Sequence, residues 1–113
     1  MKMKTIKFRR ELADLIIAGE KTTTWRLFDD KDLCEGEEVS FVVWENGNVF
    51  ARAKLIKVYG KTLGTLDDAD WDGHEKFASH AEMYKTYETY YHQAVNANSS
   101  VKIIIFEIIK FLL

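Results

Sequence analysis

Gly19-Glu20-Lys21-Thr22-Thr23-Thr24-Trp25-Arg26 is the stretch on which the fold turns. Upstream of it, Glu11 to Ala18 sets Leu12, Leu15 and Ile16 at helical spacing. Gly19 stands where such a helix stops, because glycine accepts the left-handed backbone of a C-terminal cap. Downstream, Thr22 to Leu27 is rich in β-branched and aromatic residues and predicts a strand. A helix therefore hands over almost directly to a strand, and polar side chains crowd the junction. Thr22, Thr24 and Arg26 alternate and share one face of that strand. Lys21 stands at an odd offset from Thr24 and points away on an ideal strand, unless its long stem curls back.

Working outward, Thr5 to Phe8 alternates and predicts a short strand before the helix. Glu35-Gly36 marks a turn. Val39 to Trp44 and Val49 to Val58 predict two strands joined at Glu45-Asn46-Gly47-Asn48, where Asn-Gly is a strong hairpin signal. After Gly60 the character changes. Thr65 to Asp70 predicts a short helical turn capped by Thr65, and Trp71-Asp72-Gly73-His74-Glu75 predicts an irregular segment. Ser79-His80-Ala81-Glu82 has the form of a capping box and opens a helix with Met83, Tyr87, Tyr90 and Ala94 on one side. Asn96 to Ser100 reads as a loop. Val101 to Leu113 is apolar at both parities, as an inner strand covered on both faces requires. The sum is an α+β chain with a mostly antiparallel, barrel-like sheet and two principal helices. The 113 residues contain no repeat, low-complexity tract or linker, so residues 1–113 are expected to form a single domain.

Composition narrows the function classes. The net charge of -2 argues against a broad basic face that grips long nucleic acid, but leaves room for a site served by a few local cations. Lys2, Lys4, Lys7, Arg9 and Arg10 cluster near the start, followed by Lys21 and Arg26; the cluster reads equally well as a solvated strand edge. Cys34 is the single cysteine, which leaves no intrachain disulfide and no multi-cysteine zinc site. It is expected to be a small, semi-buried side chain before the turn. The basic amino-terminal residues are followed by no apolar run of the signal-peptide kind. The most apolar stretch is too short for a bilayer and carries Lys102, Glu107 and Lys110. The expected setting is cytoplasmic, with no membrane partner. Oligomeric state is not readable from the sequence.

The order of helix, Gly19 to Arg26, turn and hairpin resembles the ASCH family, a branch of the PUA-like fold. The mark of that family is a Gly-x-Lys-x-x-Thr-x-Arg run after the first helix, and Gly19, Lys21, Thr24 and Arg26 fill all four positions. The likeness runs on through Glu35-Gly36-Glu37-Glu38-Val39, where Glu37 stands in for the usual Asp. It includes Thr62-Leu63, Thr65-Leu66, the tyrosine-rich helix and the closing strand near Phe106-Glu107. The small bacterial members are most similar, and some are N4-acetylcytidine amidohydrolases that use a Lys, a Thr and a Glu without a metal. The resemblance implies Lys21 and Thr24 as catalytic residues, with Glu75 as the nearest carboxylate for the third role across a gap of about one residue. It implies an N4-acylated cytidine nucleoside as substrate, or RNA as partner, and no cofactor.

Elementary chemistry fits that assignment. Amide hydrolysis needs a nucleophile, a base, a proton donor for the leaving nitrogen and support for the oxyanion. Thr24 offers the hydroxyl. Lys21 can take its proton if burial or a neighbouring cation such as Arg26 lowers its pKa. Glu75, when protonated, can donate to the departing nitrogen. Thr22, Arg26 and Trp71 complete the expected site as substrate-binding residues, with Trp71 walling the pocket beside Glu75. Each residue also has a plainer reading. A threonine run is ordinary strand composition, a lysine after a helix balances its dipole, and an arginine pairs at the surface. Two other functions stay open, a non-catalytic RNA-binding module and a ribonuclease. The latter lacks an evident histidine pair. His74, His80 and His92 have no metal spacing, and Asp67, Asp68, Asp70 and Asp72 lack a calcium-loop pattern, so no bound metal is expected.

Overall fold

The computed structural model describes residues 3–28 and 31–112. Lys2 of the basic cluster and Leu113, the end of the strand expected over 101–113, lie outside the described residues. Strand β1 (Thr5–Phe8) leads into helix α1 (Arg10–Ile17), then β2 (Thr23–Leu27), β3 (Glu38–Val43) and β4 (Val49–Thr62). A 3-10 turn (Leu63–Thr65), the short helix α2 (Asp68–Trp71), helix α3 (His80–Tyr91) and strand β5 (Ser100–Phe111) follow. The five strands form one sheet in the order β1-β3-β4-β5-β2. Only the β1–β3 pairing is parallel; the others are antiparallel.

Strand β4 is long because it serves two neighbours. Its first part pairs with β3 and its whole length from Ala51 pairs with β5. The register slips between Arg52 and Ala53 and again between Leu55 and Lys57. Such irregularities bend a strand and increase its twist, so the sheet curls. Its two edge strands come to face one another across a seam. There, an Arg26 guanidinium nitrogen on β2 donates to the Lys7 carbonyl of β1 at 2.5 Å. The same guanidinium lies 4.7 Å over the Phe8 ring. A side chain thus closes the barrel where no backbone ladder does.

The two sheet faces carry separate cores. One gathers Phe8, Phe41, Phe50 and Phe106 with Ala13 and Ile16 of α1. Its aromatic rings pack tilted or edge-on, with Phe8 and Phe41 centroids 4.7 Å apart. The other sets Trp25, Leu27, Val101 and Ile103 against Met83 and Tyr87 of α3. Neighbouring residues of β5 therefore serve opposite cores, which is why Val101 to Phe106 is apolar at both parities. Beyond Phe106 the double cover ends, and Ile109 and Phe111 are exposed. The inner strand expected over 101–113 is inner only in its first half, because β2 stops pairing at Ile105.

Several local expectations need correction. The helical turn after Gly60 is capped by Asp67, whose carboxylate accepts from the Ala69 and Asp70 backbone N–H groups; Thr65 instead closes a box with Thr62. Ser79 caps α3 through the Glu82 N–H, but the Glu82 carboxylate accepts from Ala78 and not from Ser79. Helix α3 ends at Tyr91, with His92 in the left-handed region at φ 56°, so Ala94 lies beyond it. In the hairpin, Gly47 alone has a positive φ. Cys34 is exposed, not semi-buried.

Phe41 sits at the centre of the first core with no exposed surface and three aromatic neighbours. Replacing it by alanine leaves a cavity the paired strands cannot collapse into. Phe41→Ala is expected to lower unfolding free energy by about 3–5 kcal/mol, read as a shift of the urea midpoint at unchanged slope.

Candidate functional site

Gly19, at φ 79°, turns the chain off the end of α1, and the Glu20 and Lys21 N–H groups both bond the Leu15 carbonyl. The chain then enters β2 alongside a segment from the far side of the sequence. The Gly73 carbonyl accepts from the N–H groups of Thr22 and Thr23, at 2.8 and 3.1 Å. The Thr23 hydroxyl donates to the Asp72 carbonyl at 2.9 Å, and the Trp25 indole to the Asp70 carbonyl at 3.3 Å. The irregular stretch after α2 is thus stitched onto the start of β2. Gly73 permits the approach: at φ 75°, a Cβ there would lie 2.0 Å from the Thr22 hydroxyl oxygen.

This docking delivers Glu75 to Lys21. The Lys21 side chain is 1% exposed, and its ammonium donates to a Glu75 carboxylate oxygen. It also donates to the Thr23 carbonyl at 2.7 Å. The stem has curled back, and the nitrogen sits at the peptide joining Thr23 to Thr24. Burial lowers the pKa of Lys21 below the usual lysine value; the Glu75 carboxylate opposes that shift, and the Arg26 charge adds to it.

His74, which sequence reasoning noted only for its lack of metal spacing, is buried between the two segments. Its ring stacks on Trp25 at 3.7 Å and 18°. Nδ1 lies 2.7 Å from the Glu75 backbone carbonyl, which can only accept, so Nδ1 carries the proton. Nε2 then accepts from the Tyr87 hydroxyl at 3.3 Å. Burial, helped by the Lys21 charge, pushes the His74 pKa down to about 2. Burial also raises Tyr87 well above an ordinary phenol, and the Glu75 carboxylate adds to this. No periodicity marks His74 in advance, since its neighbours come from β2 and α3.

Thr24 and Arg26 line a cavity of about 140 Å³ at the seam between β1 and β2. Tyr87, Tyr90 and Tyr91 of α3 form one wall and Trp44 with Arg9 part of another. The Thr24 hydroxyl makes no hydrogen bond to a described residue, which leaves it available to a ligand. Lys21 and Glu75 do not line this cavity, although the Glu75 carboxylate acts on two of its tyrosines, Tyr87 and Tyr90. Thr22 is exposed and faces Gly73. Trp71 is half-buried, edge-on to Trp25 at 4.6 Å and under the Lys76 ammonium, and is not among the residues lining the cavity. Among the described residues, no group of three or more His, Cys, Asp or Glu side chains is placed to hold a metal ion. No described helix is long and apolar enough to cross a membrane.

An α+β chain with a curled, mostly antiparallel sheet and helices on its faces has the PUA-like architecture. Within it, the match is to solved ASCH domains. The chain superposes on a DUF984-family protein of Enterococcus faecalis V583 with a TM-score of 0.74, at 16% identity, over 99% of this chain and 84% of that one. For the ASCH domain of Lactobacillus crispatus JV V101 the TM-score is 0.72, at 12% identity, over 98% and 81%. For ASCH from Zymomonas mobilis it is 0.63, at 18% identity, over 96% and 71%. The chain has the ASCH fold. No protein-family model matches its sequence, and no curated protein does.

The buried, neutral His74 makes stability depend on pH. Its folded pKa lies below the ordinary 6.5, so the unfolded chain takes up a proton that the folded one refuses. Its contribution is complete above that value and is lost as pH falls towards 2, at up to about 1.4 kcal/mol per pH unit. Urea midpoints at pH 7 and pH 5 are expected to fall less steeply for His74→Gln than for the unaltered chain. Equal losses for the two proteins would contradict the assignment.

Proposed function

We propose that this chain is an ASCH-family amidohydrolase that removes the acyl group from N4-acylated cytidine, with Lys21, Thr24 and Glu75 as catalytic residues. The observation that carries this reading is the buried Lys21–Glu75 pair held at the Thr23–Thr24 peptide. The motif residues Gly19, Lys21, Thr24 and Arg26, together with the ASCH fold, support it.

The pair shares one removable proton. With that proton on the lysine it is ammonium and carboxylate; after one hop it is free amine and carboxylic acid. The second form supplies the base and the acid that amide hydrolysis needs. Burial that lowers the lysine pKa favours the hop. The pair does not line the cavity, so this route requires substrate binding to bring it within reach of Thr24; Thr24 Oγ1 then attacks the acyl carbon and Lys21 takes its proton. The amide C–N bond then breaks as Glu75 protonates the departing cytosine nitrogen, leaving cytidine and an acyl-threonine ester. Water attacks that ester and passes a proton to the pair; the acyl C–Oγ1 bond then breaks as the pair returns a proton to Thr24 Oγ1, which releases the acid. Arg26 and the tyrosines of the cavity hold the base. A cavity of about 140 Å³ is well below the ~300 Å³ of a drug-sized site; it suits a planar base with the rest of the ligand outside.

Activity belongs to the state with one proton on the pair. The rate against pH is therefore expected to be bell-shaped, falling when a second proton arrives and when the last one leaves. Turnover of N4-acetylcytidine, followed by absorbance, is expected to fall by about 10²–10⁴-fold in Lys21→Ala and in Thr24→Ala. Wild-type turnover in both variants would end the mechanism. A second reading, a non-catalytic RNA-binding module, is favoured by the three cations lining the cavity. It expects RNA affinity to survive Thr24→Ala and to fall with Arg26→Ala and with added salt. Absence of RNA binding at low salt removes it.

A further inference from the structure

Arg9, which no step of the reaction uses, lines the cavity and is held there by two aromatic rings. Its guanidinium carbon lies 4.2 Å from the Trp44 ring centroid and 4.9 Å from that of Tyr90. The two rings come from different elements: Trp44 follows β3, and Tyr90 lies in the last turn of α3. Arg9 itself is the residue before α1. The contact with Trp44 is fixed from a second point, because the neighbouring Glu45 carboxylate accepts from the Arg10 N–H at 3.0 and 3.2 Å. That carboxylate thereby satisfies the start of α1. Among the described residues, no side-chain or backbone acceptor bonds the Arg9 guanidinium, and no carboxylate lies within ion-pair distance of it. Two aromatic rings pack against the guanidinium, and among the described residues its N–H groups have no acceptor.

The surroundings share this bias. Lys7, Arg9 and Arg26 all line the cavity and no Asp or Glu does, in a chain whose net charge is -2. A guanidinium held against two rings, with no acceptor on its fork among the described residues, matches a planar or tetrahedral oxyanion, and holding it in place reduces the ordering cost of binding. Next to an aromatic-walled space of base size, the anion that fits is a phosphate attached to the base through its sugar.

We infer that Arg9, clamped between Trp44 and Tyr90, is the subsite for a phosphate group of a cytidine nucleotide, so that the ligand is a phosphorylated nucleotide in preference to a free nucleoside. The inference rests on the reading of the seam cavity as a nucleoside site. The same phosphate can come from a mononucleotide or from a strand of RNA, and these sources differ in how many phosphates are engaged.

Quenching of tryptophan fluorescence can be followed as cytidine, cytidine 5′-monophosphate or a short oligocytidylate is added to the intact chain. The monophosphate is expected to bind about tenfold or more tightly than cytidine at low salt, and the preference to shrink as salt is raised. Arg9→Ala should abolish the preference. Arg9→Lys, which keeps the charge but loses the fork and the stacking, should retain only part of it. An oligonucleotide bound more tightly than the monophosphate identifies a strand as the source; equal binding identifies the mononucleotide. Equal affinity for cytidine and its monophosphate in the unaltered chain overturns the inference, and so does a preference that persists in Arg9→Ala. Because binding is read without turnover, a phosphate preference in a chain that fails to hydrolyse N4-acetylcytidine sinks the catalytic reading and leaves the subsite standing. Turnover without any phosphate preference does the reverse.

Discussion

Placing the Lys21 ammonium where its side chain is 1% exposed is the constraint from which the rest of the site follows. Removing an ionised amine from water costs several kcal/mol after relaxation unless acceptors meet it. One acceptor is local, the Thr23 carbonyl, reached only because the stem folds back along the chain. The other is Glu75, which is 54 positions away and must be carried in. That requires the segment after α2 to lie against the beginning of β2, which in turn requires a residue without a Cβ at Gly73. The buried cation, the docked loop and the glycine form one arrangement whose parts cannot be exchanged singly.

The same docking organises the aromatic groups. Trp25 anchors the loop through its indole N–H and offers its face to His74, while His74 ties the Glu75 backbone to the Tyr87 hydroxyl. Helix α3 thereby acquires a fixed relation to β2. Its tyrosines then wall the seam on the side where Thr24 and Arg26 emerge. Packing and site are therefore parts of one structure: Trp25 and Leu27 belong to the core under α3, and Trp25 also lines the cavity together with Thr24 and Arg26.

The charge distribution separates local chemistry from overall balance. A chain with net charge -2 lacks a long basic groove, yet it gathers Lys7, Arg9 and Arg26 around one small cavity. Arg26 also bonds the Lys7 carbonyl across the seam and covers Phe8. It lends its charge to the cavity while holding the barrel closed. The cavity and the closure of the sheet therefore share one residue.

By itself the sequence determined the elements and their order. Period-two and helical patterns, Gly19 after α1, Gly47 in the hairpin and the doubly apolar run in β5 each state a backbone preference that neighbours in the chain enforce. The Gly19-to-Arg26 segment also pointed to the ASCH fold, and it marked Lys21, Thr24 and Arg26 as the residues to watch. The tertiary structure alone decided which partners they meet. Nothing in the spacing says that Glu75 reaches Lys21, that His74 is buried against Trp25, or that Arg9 lies between Trp44 and Tyr90. Nor does it say that Trp71 packs against Trp25 without lining the cavity, or that β5 loses its cover beyond Phe106. These are contacts between segments whose separation in the chain carries no periodic signal. They arise because bulges curl the sheet until its edges meet, and because a buried charge must find its counterpart wherever the fold supplies one.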